Sequence, residues 1–482
     1  MPELSQADRP LWGLREVVVV AAPASLSMLT RTLMRFVDGY MVSTIGPDRL
    51  SSQLVAGMAA FAFEAFILGT LTAVNTFVSQ NRGAGRDLRC GEFARSGMLL
   101  AMALSALAMP MLLLGERFFG LLNQPPELLG LEVMYFRYMI LSIPLSQLAV
   151  ALGRFFFGIH RSHVVLLGAL AGNGFNILAN WVLIFGHWGF PAMGLEGAAI
   201  GTIMGVGVEF VVMLAFFVSP AVNRRFGTVR LQASWRQIRQ VLRVGWPAGL
   251  QFFSDLVSWA VLTSILIGGF GRAHLAAHTA IIRYISLSFM PAVGIGIAAT
   301  ALVGKYIGAG RRDLARKRAH AALLLAMGYM GTCGLAFLLF RGPLVDVFVT
   351  AQDTPGLSGE AIVEIGSQLF IVAALFQLFD AIGIVYVGAL RGAGDTRFTM
   401  VVTMLLSWTV VVGGGLTMVH WLPGLKSLGP WIAGAAYVII LGLVLAWRFE
   451  GGAWERIELL DREGPLPPGS QPALALPGEQ DA

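Results

Sequence analysis

Three aspartates, Asp38, Asp255 and Asp380, stand inside long apolar runs of the sequence. A charge at the centre of a membrane span costs roughly 2.5–3.5 kcal/mol on insertion scales, so a chain that keeps one has a partner or a use for it. A carboxylate held away from water can take up and release a proton or a small cation. Around Asp38 the residue types suit that chemistry. Asn173, Asn176 and Asn180 form an i, i+3, i+7 stripe on a later apolar run, and amide oxygens, a carboxylate and a threonine such as Thr202 are hard ligands for a small cation. The competing reading is a purely structural polar cluster. Arg31 and Arg35 precede Asp38 on the same helical face; if either pairs with it, cation binding there is opposed, because intramembrane charges do pair with one another.

Glu64, Glu209, His278 and Arg283 are further ionisable residues within apolar runs. Glu64, among Phe61, Phe63 and Phe66, either attracts a cationic ligand or pairs with Arg31 or Arg35. Glu209 and His278 read as hydrogen-bonded packing residues. Arg283 either lines a ligand cleft or pairs with Asp255. Phe36, Phe61, Phe63, Phe252, Phe253, Trp259, Phe289 and Met290 are candidates for the wall of such a cleft, where aromatic faces and carboxylates suit flat lipophilic cations. For any single one of them, packing against lipid or another helix is the commoner role.

The elements that must position these residues are membrane helices. The chain has 482 residues, 56% hydrophobic and 13% charged, where a soluble domain carries about 25% charged residues. Twelve apolar runs of spanning length are expected near 16–45, 53–80, 94–115, 131–158, 164–187, 194–219, 244–269, 276–304, 318–340, 361–390, 397–420 and 429–449. They are too long, and too uniformly apolar, for barrel strands. The net charge of +6 does not indicate nucleic acid, because the basic residues lie in loops. Arg82, Arg86, Arg89 and Arg95 follow span 2, six arginines from Arg224 to Arg243 follow span 6, and Lys305 to Arg318 follow span 8. The opposite loops carry mostly single basic residues. The positive-inside rule therefore predicts that the basic loops and both termini are cytoplasmic. Residues 1–15 form no signal-peptide pattern, and the first span is expected to be retained. Cys90 and Cys333 build neither a disulfide framework nor a metal motif.

The sequence repeats itself. Val78-Ser-Gln-Asn-Arg-Gly83-Ala-Gly85-Arg-Asp87-Leu88 resembles Val303-Gly-Lys-Tyr-Ile-Gly308-Ala-Gly310-Arg-Arg-Asp313-Leu314, and Pro23 is matched by Pro247. Six spans separate the copies, so the halves share one orientation. The expected fold is an all-α polytopic membrane protein, with twelve transmembrane helices in two pseudo-symmetric six-helix lobes around a central cleft. The expected parts are a cytoplasmic segment 1–15, an amino-terminal lobe 16–219, a basic cytoplasmic linker 220–243, a carboxy-terminal lobe 244–449 and a disordered cytoplasmic tail 450–482. Within the linker, Trp235–Val244 suits a surface helix.

In order and spacing, several stretches carry a family resemblance: Phe36-Val-Asp38-Gly-Tyr-Met-Val, the two Gly-Ala-Gly loops, Asn173-Gly-Phe-Asn176-Ile-Leu-Ala-Asn180-Trp181, Pro247-Ala-Gly-Leu-Gln-Phe-Phe-Ser-Asp255, Ala277-His278 and Leu390-Arg-Gly-Ala-Gly-Asp395-Thr396. From about residue 15 to 448 the chain resembles a multidrug and toxic compound extrusion (MATE) transporter, most nearly of the NorM type. The resemblance implies export of organic, often cationic, compounds in exchange for inward sodium or protons. No cofactor is implied beyond that coupling ion. It implies an amino-terminal cation site at Asp38, Asn176, Asn180 and Thr202. It also implies a carboxy-terminal site at Asp255, where the family usually has glutamate, and at Asp380. The tyrosine found one turn before that aspartate in the NorM type is Phe376 here, a loss of one hydroxyl, and Phe376 joins the cleft candidates. The expected partners are small organic substrates and membrane lipid, the expected assembly is a monomer, and the expected location is a prokaryotic inner membrane.

No enzymatic motif competes. A phosphate-binding Gly-x-x-x-x-Gly-Lys-Ser/Thr loop, a Gly-x-Ser-x-Gly elbow and a His-Glu-x-x-His motif are all absent. The Gly-Ala-Gly loops read as tight turns at span ends. A lipid-linked sugar or lipid flippase of the same broad superfamily is the nearest alternative; it needs a cationic cleft, which Arg31, Arg35 and Arg283 keep in play and the three aspartates oppose. A membrane-embedded enzyme or receptor is more remote.

Overall fold

Lipid offers no partner for backbone N–H and C=O groups, so a spanning segment must satisfy them within itself, and an α-helix does. The computed structural model describes residues 10–121, 125–230, 234–350 and 359–460, and among these no strand occurs. The first half runs through α1 (Pro10–Ser43), α2 (Pro47–Thr70), α3 (Thr72–Gly83), α4 (Asp87–Ala106), α5 (Met111–Leu121), α6 (Pro126–Gly158), α7 (Ser162–Phe185), α8 (Leu195–Val218) and the short α9 (Pro220–Phe226). The second half follows as α10 (Trp235–Val261), α11 (Arg272–Gly308), α12 (Arg312–Leu339), α13 (Arg341–Thr350), α14 (Gly359–Ala393), α15 (Thr396–Leu406), α16 (Gly415–Trp421) and α17 (Leu428–Glu450). Wider π turns at Leu262–Ile267 and Ser407–Gly414 follow α10 and α15.

Among the described residues, eleven helical stretches are long and apolar enough to cross a membrane. The count is twelve if α4 and α5, bent by 53° to each other, make one span. That bend is the expected third span, interrupted where Pro110 precedes α5; proline has no N–H for the helical ladder and its ring crowds the preceding turn. Two other expectations are revised. Residues 235–244 are no separate surface helix but the first turns of α10, which continues through Pro247. The start of the expected disordered tail is ordered: Ala453–Arg456 forms a short turn, and the Trp454 ring is buried and stacked on Phe449 at 5.0 Å. The rest of the tail, and the first nine residues, lie outside the described residues.

The described residues fall into two units. One holds the chain up to Ala21, Leu250–Val303 and Arg311–Glu458; the other holds Ala22–Gly249, Gly304–Gly310, Leu459 and Leu460. The seams therefore fall inside α1, α10 and α11, the first two beside Pro23 and Pro247, while the described part of the linker 220–243 lies wholly within the second unit.

In the first of these units, the start of α1 packs on α11, α12 and α14 through Val17, Val20, Ala21, Ala298, Ala322 and Ala381. A second cluster gathers Phe337, Phe370, Phe376, Trp431 and Tyr437. Small residues bring backbones close, which is how helices associate where lipid is as apolar as the side chains. A Cβ on Gly392 would lie 2.5 Å from the Thr300 oxygen.

In the other unit the repeated loops meet. A Cβ on Gly83 would lie 1.8 Å from the Lys305 oxygen, and one on Gly308 would lie 1.9 Å from the Gln80 oxygen. The offset from 80 to 305 equals that from 83 to 308, so the two contacts are one contact seen twice, as a two-fold repeat requires. Gly85 and Gly310 turn their loops with φ of 73° and 72°, a left-handed conformation that glycine adopts without a Cβ clash.

Candidate functional site

In the amino-terminal unit, glycines on both α7 and α8 let these helices touch backbone to backbone. A Cβ on Gly172 would lie 2.7 Å from the Gly205 oxygen, and one on Gly201 would lie 2.0 Å from Asn180 Oδ1. This seam buries Asn176 and Asn180 completely. Asn180 donates from Nδ2 both to Asp38 Oδ1, in a short contact, and to Asn176 Oδ1 at 3.4 Å. Asp38, on α1, is 8% exposed. Its other oxygen accepts from Gln53 Nε2 of α2 at 3.1 Å, and the same nitrogen reaches the Tyr135 hydroxyl of α6 at 3.5 Å. Thr202 donates to the Ala198 carbonyl at 2.9 Å and lies within reach of Tyr135. The four expected residues are thus brought to one place, Asp38 and the two asparagines in direct contact and Thr202 through Tyr135.

The arginines of α1 do not pair with Asp38. Arg31 donates to Glu209 of α8 in a short ion pair, so Glu209 is a charge partner and not only a packing residue. Arg35 lies over the Phe61 ring at 5.7 Å and within the electrostatic reach of Glu64, which accepts from Ser146 Oγ at 3.0 Å. Asp38 is left among uncharged groups. Several buried polar atoms nearby have no hydrogen bond among the described residues: Gln53 Oε1, Asn180 Oδ1, Asn176 Nδ2 and Asn173 Nδ2.

In the carboxy-terminal unit, Asp255 of α10 accepts a hydrogen bond from the Tyr437 hydroxyl of α17 at 2.7 Å. Asp380 of α14 lies within the electrostatic field of both Asp255 and Tyr437. The field of Arg391 reaches Asp255, and Arg283 is exposed. Arg391 also donates to Gln251 Oε1 at 3.1 Å and lies over the Phe252 ring at 5.3 Å, and Gln251 Nε2 donates to Thr403 at 2.9 Å. Tyr437 restores a hydroxyl beside the aspartates, where Phe376 carries none. Phe376 is 4% exposed in the apolar cluster and stacks on Trp431 at 6.5 Å, which sets it in the core rather than in a wall open to ligand. Trp259 packs half-buried against the same cluster. Phe289 is half-buried, while Phe36 and Phe253 are exposed. His278 is buried, bonded to Thr263 at 3.0 Å and set edge-on to Trp431, in keeping with a packing role.

Sequence reasoning missed Gln53, Tyr135 and Tyr437. None of the three carries a charge, and only the packing of a second helix brings each one to an aspartate site.

The MatE family profile matches residues 23–182 and 247–414, well over half of the chain and both copies of the repeat. The chain belongs to the MatE family. It is 30% identical over 475 residues to the multidrug resistance protein PmpM of Pseudomonas aeruginosa, covering 95% of this chain and 97% of the relative. It is 29% identical over 468 residues to a probable multidrug resistance protein NorM of Brucella suis, covering 93% and 95%. Among solved structures, an outward-facing multidrug resistance MATE family transporter superposes with a TM-score of 0.83 at 20% identity, over 92% of this chain and 97% of that one. A eukaryotic MATE transporter gives 0.81 at 16%, over 92% and 97%. At those identities the structures speak for the fold alone. This MatE chain is an integral membrane transporter and not an enzyme.

Proposed function

We propose that the protein is a sodium- or proton-coupled antiporter that exports lipophilic organic cations by alternating access. It would act as a monomer in a bacterial inner membrane, with both termini cytoplasmic. The relatives named as multidrug resistance proteins support export of several compounds, and the positive-inside bias of the loops supports the orientation.

One observation carries the coupling: Asp38 is buried among amide groups, while the arginines beside it are engaged by Glu209 and lie in the field of Glu64. A carboxylate so placed gains from being neutralised, because a buried charge with no counter-charge is costly. Loading it changes its bonds. A cation on Asp38 needs oxygen where Asn180 and Gln53 now present N–H, so these amides must turn, and the contacts of α1 with α2 and α7 change with them. The cation and the exported compound need not touch. Each need only bind more tightly to one of the two access states. In the carboxy-terminal unit, Asp255 and Asp380 are the second coupling candidates, with Tyr437 holding Asp255 in place. Engagement of Arg31 by Glu209 also weighs against the flippase alternative, which needs free positive charge for a pyrophosphate headgroup.

The test is ethidium transport into everted vesicles under an imposed sodium or pH gradient. One of the two gradients should drive uptake, and Asp38→Asn and Asp255→Asn should each abolish it while the purified variants keep the wild-type melting temperature. Normal gradient-driven uptake in both variants would overturn the coupling assignment.

A further inference from the structure

In the unit that holds both repeated loops, a small cavity opens at the start of α4. It is lined by Arg86 and Arg89, by Ser234 and Arg236 at the start of α10, and by Leu459 and Leu460 beyond α17. All of these belong to that one unit. Among the described residues the wall carries three arginines and no acid. Beside it, Glu92 of α4 accepts from Arg89 Nη1 at 2.9 Å and from Gln237 Nε2 in a short contact. The nearby Asp87 is held by Arg82 at 2.7 Å and by Arg225 at 2.8 Å. Glu92 therefore balances at most one of the three charges in the wall. The cavity volume of about 60 Å³ is several times the roughly 10–15 Å³ that one water needs. It admits a carboxylate or a phosphate group, and not a whole organic cation.

The chain itself carries an acid to this place. Trp454 stacks on Phe449 and donates from Nε1 to the Phe449 oxygen at 2.8 Å, and Glu455 pairs with Arg316 at 3.0 Å. These contacts fix the course of the chain after α17, and Leu459 and Leu460 then form part of the wall. The next residues in the sequence are Asp461-Arg-Glu463. Consecutive Cα atoms are about 3.8 Å apart, so covalent geometry alone keeps the Asp461 Cα within that distance of a wall residue. The repeat leads to the same point. Gly227 and Gly452 follow the last span of their halves with φ of 59° and 70°, and they are as far apart in the sequence as Gly83 and Gly308. By that offset Leu459 matches Ser234, its neighbour in the wall, and Asp461 matches Arg236. The linker brings an arginine to the cavity, and the tail has an aspartate at the matching position.

We propose that this cavity is the docking site for the acidic start of the chain's own tail, with the carboxylates of Asp461 and Glu463 set against Arg86 and Arg236. Guanidinium–carboxylate pairs are among the stronger and more directional hydrogen bonds. A tethered acid also needs no encounter from solution, since its effective concentration is on the order of millimolar. The docked tail would hold the first turn of α10 to the start of α4. The headgroup of an anionic phospholipid has the same chemistry, and the test separates the two. The proposal goes beyond the antiport reading and does not depend on it, so its failure leaves the coupling assignment untouched.

The experiment uses the full chain, purified in detergent, and a carbodiimide that joins a carboxylate to an amine in contact with it. Arginine does not react, so Arg236→Lys keeps the charge and supplies the amine. Peptide mass spectrometry should find the new amine at position 236 joined to Asp461 or Glu463. Arg89→Lys is the control, because Glu92 lies against that position. A control link to Glu92 without any link from position 236 to Asp461 or Glu463 overturns the proposal, and so does a link from position 236 to Glu455 or Glu458 alone. A second measurement keeps every arginine and covers the case in which Arg236→Lys fails to fold. Phenylglyoxal modification of Arg86 and Arg236 should rise several-fold when Asp461→Asn and Glu463→Gln are combined. Unchanged modification in that variant overturns the proposal. If the two arginines stay protected there, lose protection when bound lipid is stripped by detergent, and regain it with added phosphatidylglycerol, the occupant is a lipid headgroup and the tail proposal falls.

Discussion

Asp38 and Asp255 are held in different ways. Asp38 takes two amide donors, from Asn180 and Gln53, whereas Asp255 takes the single hydroxyl of Tyr437 with Arg391 in its field. An amide can present either a donor or an acceptor; a tyrosine hydroxyl bonded to a carboxylate acts as a donor. Tyr437→Phe therefore removes the hydroxyl that donates to the Asp255 carboxylate and leaves the ring in place. The loss of a hydrogen bond to a charged group is worth about 1.5–3 kcal/mol, and the expected result is a much reduced transport rate with the fold retained, read by ethidium uptake and by thermal melting. Wild-type uptake would show that Tyr437 does not position Asp255. The aspartates themselves were legible in the sequence, because a charge in an apolar run stands out. Gln53, Tyr135 and Tyr437 were not, since an uncharged polar residue in such a run is common and acquires meaning only from what packs against it. The burial of Phe376 is hidden in the same way: its place along α14 is plain in the sequence, but its stacking on Trp431 depends on α17.

At the scale of elements, the long helices follow from apolar runs and the requirement that their backbones satisfy themselves. The exceptions have local causes. Pro110 divides the third run, and the linker's Trp235–Val244 joins α10 because Gln237 and Val241 are buried on its inner face while Trp235 remains exposed. The ordered start of the tail depends on Trp454, whose ring needs Phe449 one helix end away. One buried ion pair ties two elements that are distant in the chain. Arg318 Nε of α12 donates to Glu16 of α1 at 2.7 Å, with both side chains nearly inaccessible. Removing one partner of a buried pair strands the other charge, at a cost of about 3–5 kcal/mol. Glu16→Ala is expected to lower the melting temperature of the purified protein clearly, while Glu16→Ala combined with Arg318→Met recovers part of the loss. Unchanged melting of the single variant would mean that the pair contributes nothing.

Across the whole molecule the governing feature is the repeat. Gly83 and Gly308 make the same approach to Lys305 and Gln80, so Gly83→Val and Gly308→Val should be similarly damaging, each lowering the yield of folded protein in a size-exclusion assay. A strong effect at one and none at the other would break the equivalence. The sequence shows the repeat through its loops, but it hides the seams, because nothing in an apolar run tells which neighbour each turn will find. The opening stretch of α1 illustrates the point: Val17 and Val20 pack against α11, α12 and α14, and Glu16 bonds to α12. Those helices leave the ribosome hundreds of residues after α1 does. During biogenesis the start of the first helix must therefore wait in the translocon or the bilayer, its carboxylate unmatched, until nearly the entire polypeptide has been made, and the assembly of that unit is necessarily a late, post-insertional event.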